Sequence, residues 1–187
     1  MSEVFVNDEG IEVVRLRAED WPEVAPTEIL PGLWMGGIAD DGYVGDALGD
    51  DHYAFDSPYE IIVTLYGDAQ PAPWGVIELR YGFPDDELEP DWALRCVALA
   101  DFAYVNWRSG REVLVRCERG INRSGLVTAL ILMRDARSAE EAVALLRERR
   151  GQAVLINTSF ERWLIFEAAH CMGPHDAAPP RVEGGAA

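Results

Sequence analysis

The stretch that most constrains this chain runs from Glu112 to Arg134. Val113, Leu114 and Val115 form an apolar run, so the strand at 112–116 reads as a central one, covered on both faces. Next comes Cys-Glu-Arg-Gly-Ile-Asn-Arg-Ser-Gly, residues 117–125, and then Leu126 to Met133 is apolar except for Thr128. A buried strand, a short glycine-containing loop and a helix from Ser124 to about Arg134 sit end to end. That order is the building unit of an α/β fold, with a central mixed, mainly parallel sheet flanked by helices.

The rest of the chain fits this frame. Further strands are expected near 33–36, 60–66 and 75–81, and Trp21 to Thr27 reads as a connector. Before them, Val4-Phe5-Val6 and Ile11-Glu12-Val13-Val14 suggest a short β pair joined across residues 7–10. A helix is expected from Asp91 to Trp107, where Leu94, Ala98, Phe102 and Val105 recur at helical spacing and would pack on the sheet. Ser138 and Glu141 form a capping box for a helix that runs to Arg150 and stops at Gly151. Asn157 or Thr158 caps a last helix carrying Phe160, Leu164 and Phe166. Residues 40–58 hold six Asp without EF-hand spacing and read as a solvated loop. The Pro- and Gly-rich tail from Gly173 is expected to be disordered. The organisation read from this is an N-terminal β extension over 1–28, one catalytic domain over 29–172 and a tail over 173–187.

The chemistry sits in the loop at 117–123. Cys117 and Arg123 bracket five residues that include Gly120. The thiolate is the nucleophilic form of cysteine, and a helix N-terminus and neighbouring cations favour it. The helix starting near Ser124 aims unpaired N–H groups back at the loop. A tight turn around Gly120 can direct the amides of Glu118, Arg119, Gly120, Ile121, Asn122 and Arg123 inward as an anion nest. Arg123 adds a planar fork that matches two phosphate oxygens. Ser124 is placed to hydrogen-bond the sulfur and ease its departure from a phosphocysteine. The Cys–Arg spacing alone is weak. The preceding strand, the glycine, the Ser-Gly pair and the following helix supply the specificity. The competing reading is a buried strand-end cysteine with Arg123 on a solvated helix turn.

Taken together, this loop resembles the signature of the cysteine-dependent protein tyrosine phosphatases, nearest to their compact dual-specificity branch. Pro31-Gly32-Leu33-Trp34-Met35-Gly36-Gly37 resembles the opening strand of that domain, and Tyr59-Glu60-Ile61-Ile62-Val63-Thr64-Leu65 its next buried strand. Ala153-Val154-Leu155-Ile156-Asn157, with Phe160 and Trp163-Leu164, resembles the start of its last helix. The likeness spans about residues 29–170. In that family a carboxylic acid on a movable loop protonates the leaving oxygen. The candidates are Asp85 and Asp86, and Asp85 is preferred because it follows Pro84 and lies 32 positions before Cys117, a separation typical of the branch. Either aspartate could instead cap the helix beginning near Glu89. One residue departs from the pattern. The family usually places histidine before the nucleophile, and here the position holds Arg116, which could supply positive charge but on a strand can also project elsewhere.

Composition limits the alternatives. The 187 residues are 49% apolar and 10% aromatic, enough for one well-packed domain. No run approaches the roughly 18 apolar residues of a membrane span, and the N-terminus carries no signal-peptide pattern. The three cysteines fit neither a zinc site nor a disulfide framework, so a reducing cytoplasm is the expected setting. Cys96 and Cys171 read as small core residues. His52, His170 and His175 have no ligand spacing, so no metal and no cofactor is expected. Residues 108–150 carry ten Arg against six acids, a net of +4, leaving −21 for the rest of a chain whose net charge is −17. The positive segment coincides with the loop and suits a site that attracts anions, while the acidic remainder argues against nucleic acid and anionic lipid. The expectation is a metal-independent hydrolase acting on phosphotyrosine, phosphoserine or phosphothreonine of proteins through a phosphocysteine. The rivals are an RNA 5′-triphosphatase, a phosphoinositide phosphatase, and a phosphate-binding module with little turnover.

Overall fold

The computed structural model describes residues 3–6, 12–15, 21–23, 25–38 and 57–173. Most of the expected Asp-rich loop at 40–58 and the tail beyond Gly173 lie outside these residues. Strands β1 (Glu3–Val6) and β2 (Glu12–Arg15) pair antiparallel in a two-stranded sheet, where the sequence suggested a β pair.

The main sheet has five strands in the order β3-β4-β7-β5-β6. These are β3 (Thr27–Leu30), β4 (Leu33–Gly36), β5 (Ile61–Thr64), β6 (Ile77–Arg80) and β7 (Val113–Arg116). Only β3 and β4 pair antiparallel. β4, β7, β5 and β6 run parallel to their neighbours, so the sheet is mixed and mainly parallel as expected. β7 lies at its centre with all four residues buried.

β3 was not among the expected strands. It is a four-residue edge strand lying between Pro26 and Pro31, and its burial shows no clean alternation. The signal that could have found it is Pro31-Gly32, which joins Leu30 to its partner Leu33 with Gly32 at φ +75°. Proline followed by a left-handed glycine suits the two central positions of a type II turn.

Three helices cover one face. They are α1 (Pro90–Arg108), α2 (Arg123–Arg134) and α3 (Ala139–Arg150); α4 (Thr158–Phe166) and the single turn α5 (Ala168–Cys171) follow. α2 is the hub, with its first ten residues all buried among α1, α3, α4 and β7. A helix apolar all round is stable only when surrounded in this way. α3 begins with the expected capping box. Glu141 N–H donates to Ser138 Oγ at 3.2 Å, and Ser138 N–H donates to Glu141 Oε2 at 2.8 Å.

The expected sheet-facing stripe of α1 is wrong. Leu94 is 55% exposed and Val105 54% exposed, while Ala93, Cys96, Val97, Ala100, Ala103, Tyr104 and Trp107 are buried. Small residues at Ala93, Ala100 and Ala103 let α1 approach α2 closely, and the larger Leu94 and Val105 face outward. Trp107 anchors the end of the stripe by donating from Nε1 to the Pro31 carbonyl at 2.9 Å.

The other face of the sheet holds a smaller cluster in which Tyr59, Ile62 and Leu114 pack with Trp34, Ala72 and Val76. Side chains alternate along β7. Val113 and Val115 therefore enter the main core with Cys117, and Leu114 enters the smaller cluster. This alternation decides where the residues on either side of the loop can point.

Candidate active site

Cys117 follows the last residue of β7, and the end of β4 fixes its backbone. Cys117 N–H donates to the Gly36 carbonyl at 3.3 Å, and Ile38 N–H donates to the Glu118 carbonyl at 3.0 Å. The loop between β7 and α2 is thus strapped to a neighbouring strand as it leaves the sheet. Its turn depends on Gly120, which sits at φ +65°. A Cβ there would lie 2.5 Å from the Gly36 carbonyl carbon and 2.6 Å from Gly37 N, and would also collide with the Arg150 guanidinium. Only glycine fits both the conformation and the space.

This geometry leaves the loop after Cys117 with hydrogen-bond donors that have no acceptor among the described residues. Cys117 is 2% exposed, and its Sγ lies 3.2 Å from Ser124 Oγ. Among the described residues the backbone N–H groups of Glu118 to Arg123 have no acceptor. Asn122, the residue that caps α2, makes no side-chain cap bond. A buried helix start normally has such groups satisfied. Here they are free to converge on an anion at the helix's positive end.

The Arg123 guanidinium is divided by its surroundings. Nη1 donates to the carbonyls of Phe83 at 3.1 Å and Leu65 at 3.4 Å. Nη2 donates to Glu118 Oε2 at 3.1 Å, and Nε is buried without a hydrogen-bond partner. One side of the group is therefore anchored to backbone, and the Nε–Nη2 edge is the side available to an oxyanion. The Tyr66 ring lies 5.2 Å from Arg123 Cζ.

Asp85 is brought to the same place and Asp86 is not. Asn122 Nδ2 donates to Asp85 Oδ2 at 3.0 Å, and Asn157 Nδ2 donates to Asp85 Oδ1 at 2.9 Å. Asp86 uses Oδ1 to accept from Glu87 N–H at 2.9 Å. Neither aspartate caps α1, whose N-cap is Glu89 without a side-chain bond. The loop Asn122 thus has a use beyond its amide, because its Oδ1 also accepts from Asn157 N–H at 3.0 Å. Asn157 in turn caps α4 through the N–H groups of Ser159 and Phe160. The loop at 117–123, the segment at 85–86 and α4 meet at this pair of amides. The sequence identified Asn157 only as a cap.

Arg116 takes no part. Strand alternation sends it to the face opposite Cys117, where it is 2% exposed. There Nε donates to Thr64 Oγ1 at 2.9 Å, and Nη2 donates to the Gln70 carbonyl at 2.6 Å and to Glu78 Oε1 at 3.1 Å. Glu78 also accepts from Ala72 N–H and Thr64 Oγ1. Burial raises its carboxyl, but the hydrogen bonds from Ala72, Thr64 and Arg116 and the charge of Arg80 outweigh burial and hold it below the ordinary range.

The residue the sequence missed is Arg150, the last of α3. It is buried beneath the loop, where Nε donates to the Gly120 carbonyl at 2.8 Å. Nη1 and Nη2 reach the Ala25 and Glu23 carbonyls and Thr27 Oγ1. Burial pushes its guanidinium down to about 10, opposed by the negative charge of a Cys117 thiolate. It is thus a cation supporting the loop from behind and coupled by charge to Cys117. No local pattern in the Arg-Glu-Arg-Arg stretch at 147–150 singles it out.

The arginine-rich segment is not a free positive surface, contrary to the expectation from charge. Arg108 and Arg137 pair with Asp135, Arg116 with Glu78, Arg123 with Glu118, Arg134 with Asp101 and Arg147 with Glu161. Most of its excess charge is spent inside the fold.

The three cysteines are free, and Cys171 is exposed rather than a core residue. Burial pushes the Cys96 thiol up to about 12, which makes it inert. No cluster of metal-ligating side chains occurs among the described residues, and no described helix is long and apolar enough to cross a membrane.

Comparison with known proteins points in the same direction. The family model for the dual specificity phosphatase catalytic domain matches residues 99–168. Mouse dual specificity protein phosphatase 12 is 32% identical over 149 residues, covering 75% of this chain and 41% of its own length. The chain therefore spans less than half of that relative. The crystal structure of human DUSP28 superposes with a TM-score of 0.62 at 25% identity, covering 79% of this chain and 94% of that one. OH1 from the Orf virus, a tyrosine phosphatase, shares the fold with a TM-score of 0.60 at 20% identity, over 78% of this chain and 86% of its own.

Proposed function

The chain belongs to the cysteine-dependent phosphatases, in their dual-specificity branch, and from that premise we propose that it hydrolyses phosphorylated Tyr, Ser or Thr side chains of proteins through a phosphocysteine. The observation that carries this reading is a buried cysteine at the start of a loop whose N–H groups, with Arg123 Nε, have no acceptor among the described residues.

In the first step the Cys117 thiolate attacks phosphorus while the bond to the side-chain oxygen breaks. Asp85 gives its proton to that leaving oxygen. The loop amides and the Nε–Nη2 edge of Arg123 hold the three equatorial oxygens, where transition-state charge accumulates. In the second step a water attacks the phosphocysteine, Asp85 takes the water's proton, and sulfur departs as a thiolate that Ser124 stabilises. Asn122 and Asn157 orient Asp85 between the steps. Arg123 and the backbone supply the positive charge that metal ions provide in other phosphoryl transfers, so the reaction needs no cofactor. The cytoplasm, which keeps Cys117 reduced, is the setting this chemistry suits.

The test is hydrolysis of para-nitrophenyl phosphate with EDTA and a reductant present. Cys117→Ser should abolish turnover, and Asp85→Asn should lower it by about 10²- to 10⁴-fold, with Asp86→Asn far milder. Full activity in Cys117→Ser would refute the nucleophile. An inactive but folded wild type that binds phosphotyrosine would replace the enzyme with a binding module.

A further inference from the structure

Glu118 follows the nucleophile directly, yet the chemistry above uses only its amide. Its carboxylate lies on Nη2 of Arg123, half of the edge that the phosphate needs. The two partners differ in exposure, since the Arg123 side chain is 8% accessible and that of Glu118 47%. A phosphate dianion entering the loop takes Nε and Nη2 together, because Nη1 is held by the Phe83 and Leu65 carbonyls and that edge is the remaining pair of parallel N–H donors. Glu118 then loses its partner and stands at the mouth of the site next to a doubly charged group. Apart from the exposed Arg119 next to it in the chain, its surroundings offer little compensation. Tyr66, stacked on Arg123, has its hydroxyl pKa raised by the Glu118 charge first, then by burial and Asp68, so the rim is already negative. Beyond Asp85, a groove of about 820 Å³ carries Asp86, Glu87 and Glu167 against one cation, Arg162.

We propose that Glu118 is a specificity-determining carboxylate, which phosphate displaces from Arg123 and which then pairs with a cationic side chain flanking the phosphorylated residue. Resting on the phosphatase reading, this narrows the substrate class to phosphoresidues with Arg or Lys beside them. It also disfavours polyanions, because a second phosphate group would face Glu118 and the acidic rim. In the free protein the same carboxylate holds back small oxyanions, since binding requires breaking the Glu118–Arg123 pair.

The test starts with para-nitrophenyl phosphate, which has no flanking residues and reports on the phosphatase reading alone. Three phosphotyrosine peptides follow, identical except for Arg, Ala or Glu on both sides of the phosphoresidue. Wild type should rank them Arg, Ala, Glu in kcat/KM, spanning about tenfold at low ionic strength and shrinking in 0.5 M NaCl. Glu118→Gln should flatten the series and lower the inhibition constant of inorganic phosphate by about two- to fivefold, the value of one such half-exposed ion pair. The global charge changes by only one unit, so a flattened series isolates Glu118 from general attraction to an acidic protein. An unchanged series in Glu118→Gln, or equal rates in wild type, overturns the inference while para-nitrophenyl phosphate turnover leaves the enzyme intact. A preference for Glu flanks that disappears in Arg119→Gln also overturns it, by moving recognition to that exposed cation. If wild type turns over nothing, the same peptides are titrated calorimetrically into Cys117→Ser. The Arg, Ala, Glu order in affinity sustains the Glu118 role, and any other order ends it.

Discussion

Arg123 and Arg116 flank the loop seven residues apart, both are buried, and both pair with a glutamate. Their environments are opposite. Arg116 has Nε and Nη2 bound to side-chain and backbone oxygens, and its Glu78 partner is itself bonded by Ala72 and Thr64. Arg123 keeps an orphan Nε, and its Glu118 partner is half in solvent. A buried guanidinium whose donors are occupied holds a fold together. One with an open edge is poised for a ligand, because leaving a buried donor unsatisfied costs about 1–3 kcal/mol that only binding recovers. Arg150 lies between these cases, bound to three backbone carbonyls and Thr27 Oγ1 and yet supporting the loop that carries Cys117.

The sharpest way to break the comparison is Arg123→Lys. It keeps the charge and loses the fork, so kcat/KM on para-nitrophenyl phosphate should fall by about 10²- to 10³-fold. A lysine that worked nearly as well would mean that the open edge is incidental. Next is Arg150→Met, which strips hydrogen bonds from the carbonyls of Gly120, Ala25 and Glu23. It should cost about 2–4 kcal/mol and lower Tm by about 5–15 °C in a chain of this size. Activity should fall as well, because the loop loses its support.

Arg116→His would restore the residue usual in the family. If Arg116 is purely structural, the change should lower stability by about 1–3 kcal/mol and leave the rate on para-nitrophenyl phosphate no higher. A faster enzyme would show that this position communicates with the thiol after all. Glu78 provides the pH counterpart. Its folded pKa is depressed, so its contribution is present above the unfolded carboxylate range and is lost as pH falls through the folded value. The Tm gap between wild type and Glu78→Gln should therefore be full at neutral pH and close on acidification. A gap independent of pH would contradict the network. The smallest effect is expected for Asn157→Ala, which removes a helix cap worth about 1 kcal/mol and one of the two amides that orient Asp85. Turnover should fall several-fold with KM little changed.

Local chemistry made much of this protein legible from its sequence. The βα loop needed only residues 112–134, and the Ser138–Glu141 box and the Asn157 cap are defined within a few residues of chain. Gly120 also belongs here, since a tight anion loop demands a left-handed residue. The face of α1 was not legible. The helix carries apolar side chains on more than one side, and the small residues that let α2 approach closely became decisive only once α2 was its neighbour. Charge misled for a related reason. A count of arginines at 108–150 cannot tell which are neutralised by Asp101, Glu78 or Glu161, residues distant in sequence.

The sequence by itself determined that a cysteine, a glycine turn and a helix start would lie together, because those elements are contiguous and their geometry is short-range. Only the tertiary structure decided what each arginine does. Arg116, Arg123 and Arg150 are chemically identical, and each has a partner distant in sequence: Glu78 lies 38 residues from Arg116, Phe83 40 from Arg123 and Glu23 127 from Arg150. Which carbonyls and carboxylates reach each guanidinium depends on strand order and on the face a side chain takes. The contacts of Asp85 are of the same kind, because the amides of Asn122 and Asn157 that hold it come from two other segments of the chain.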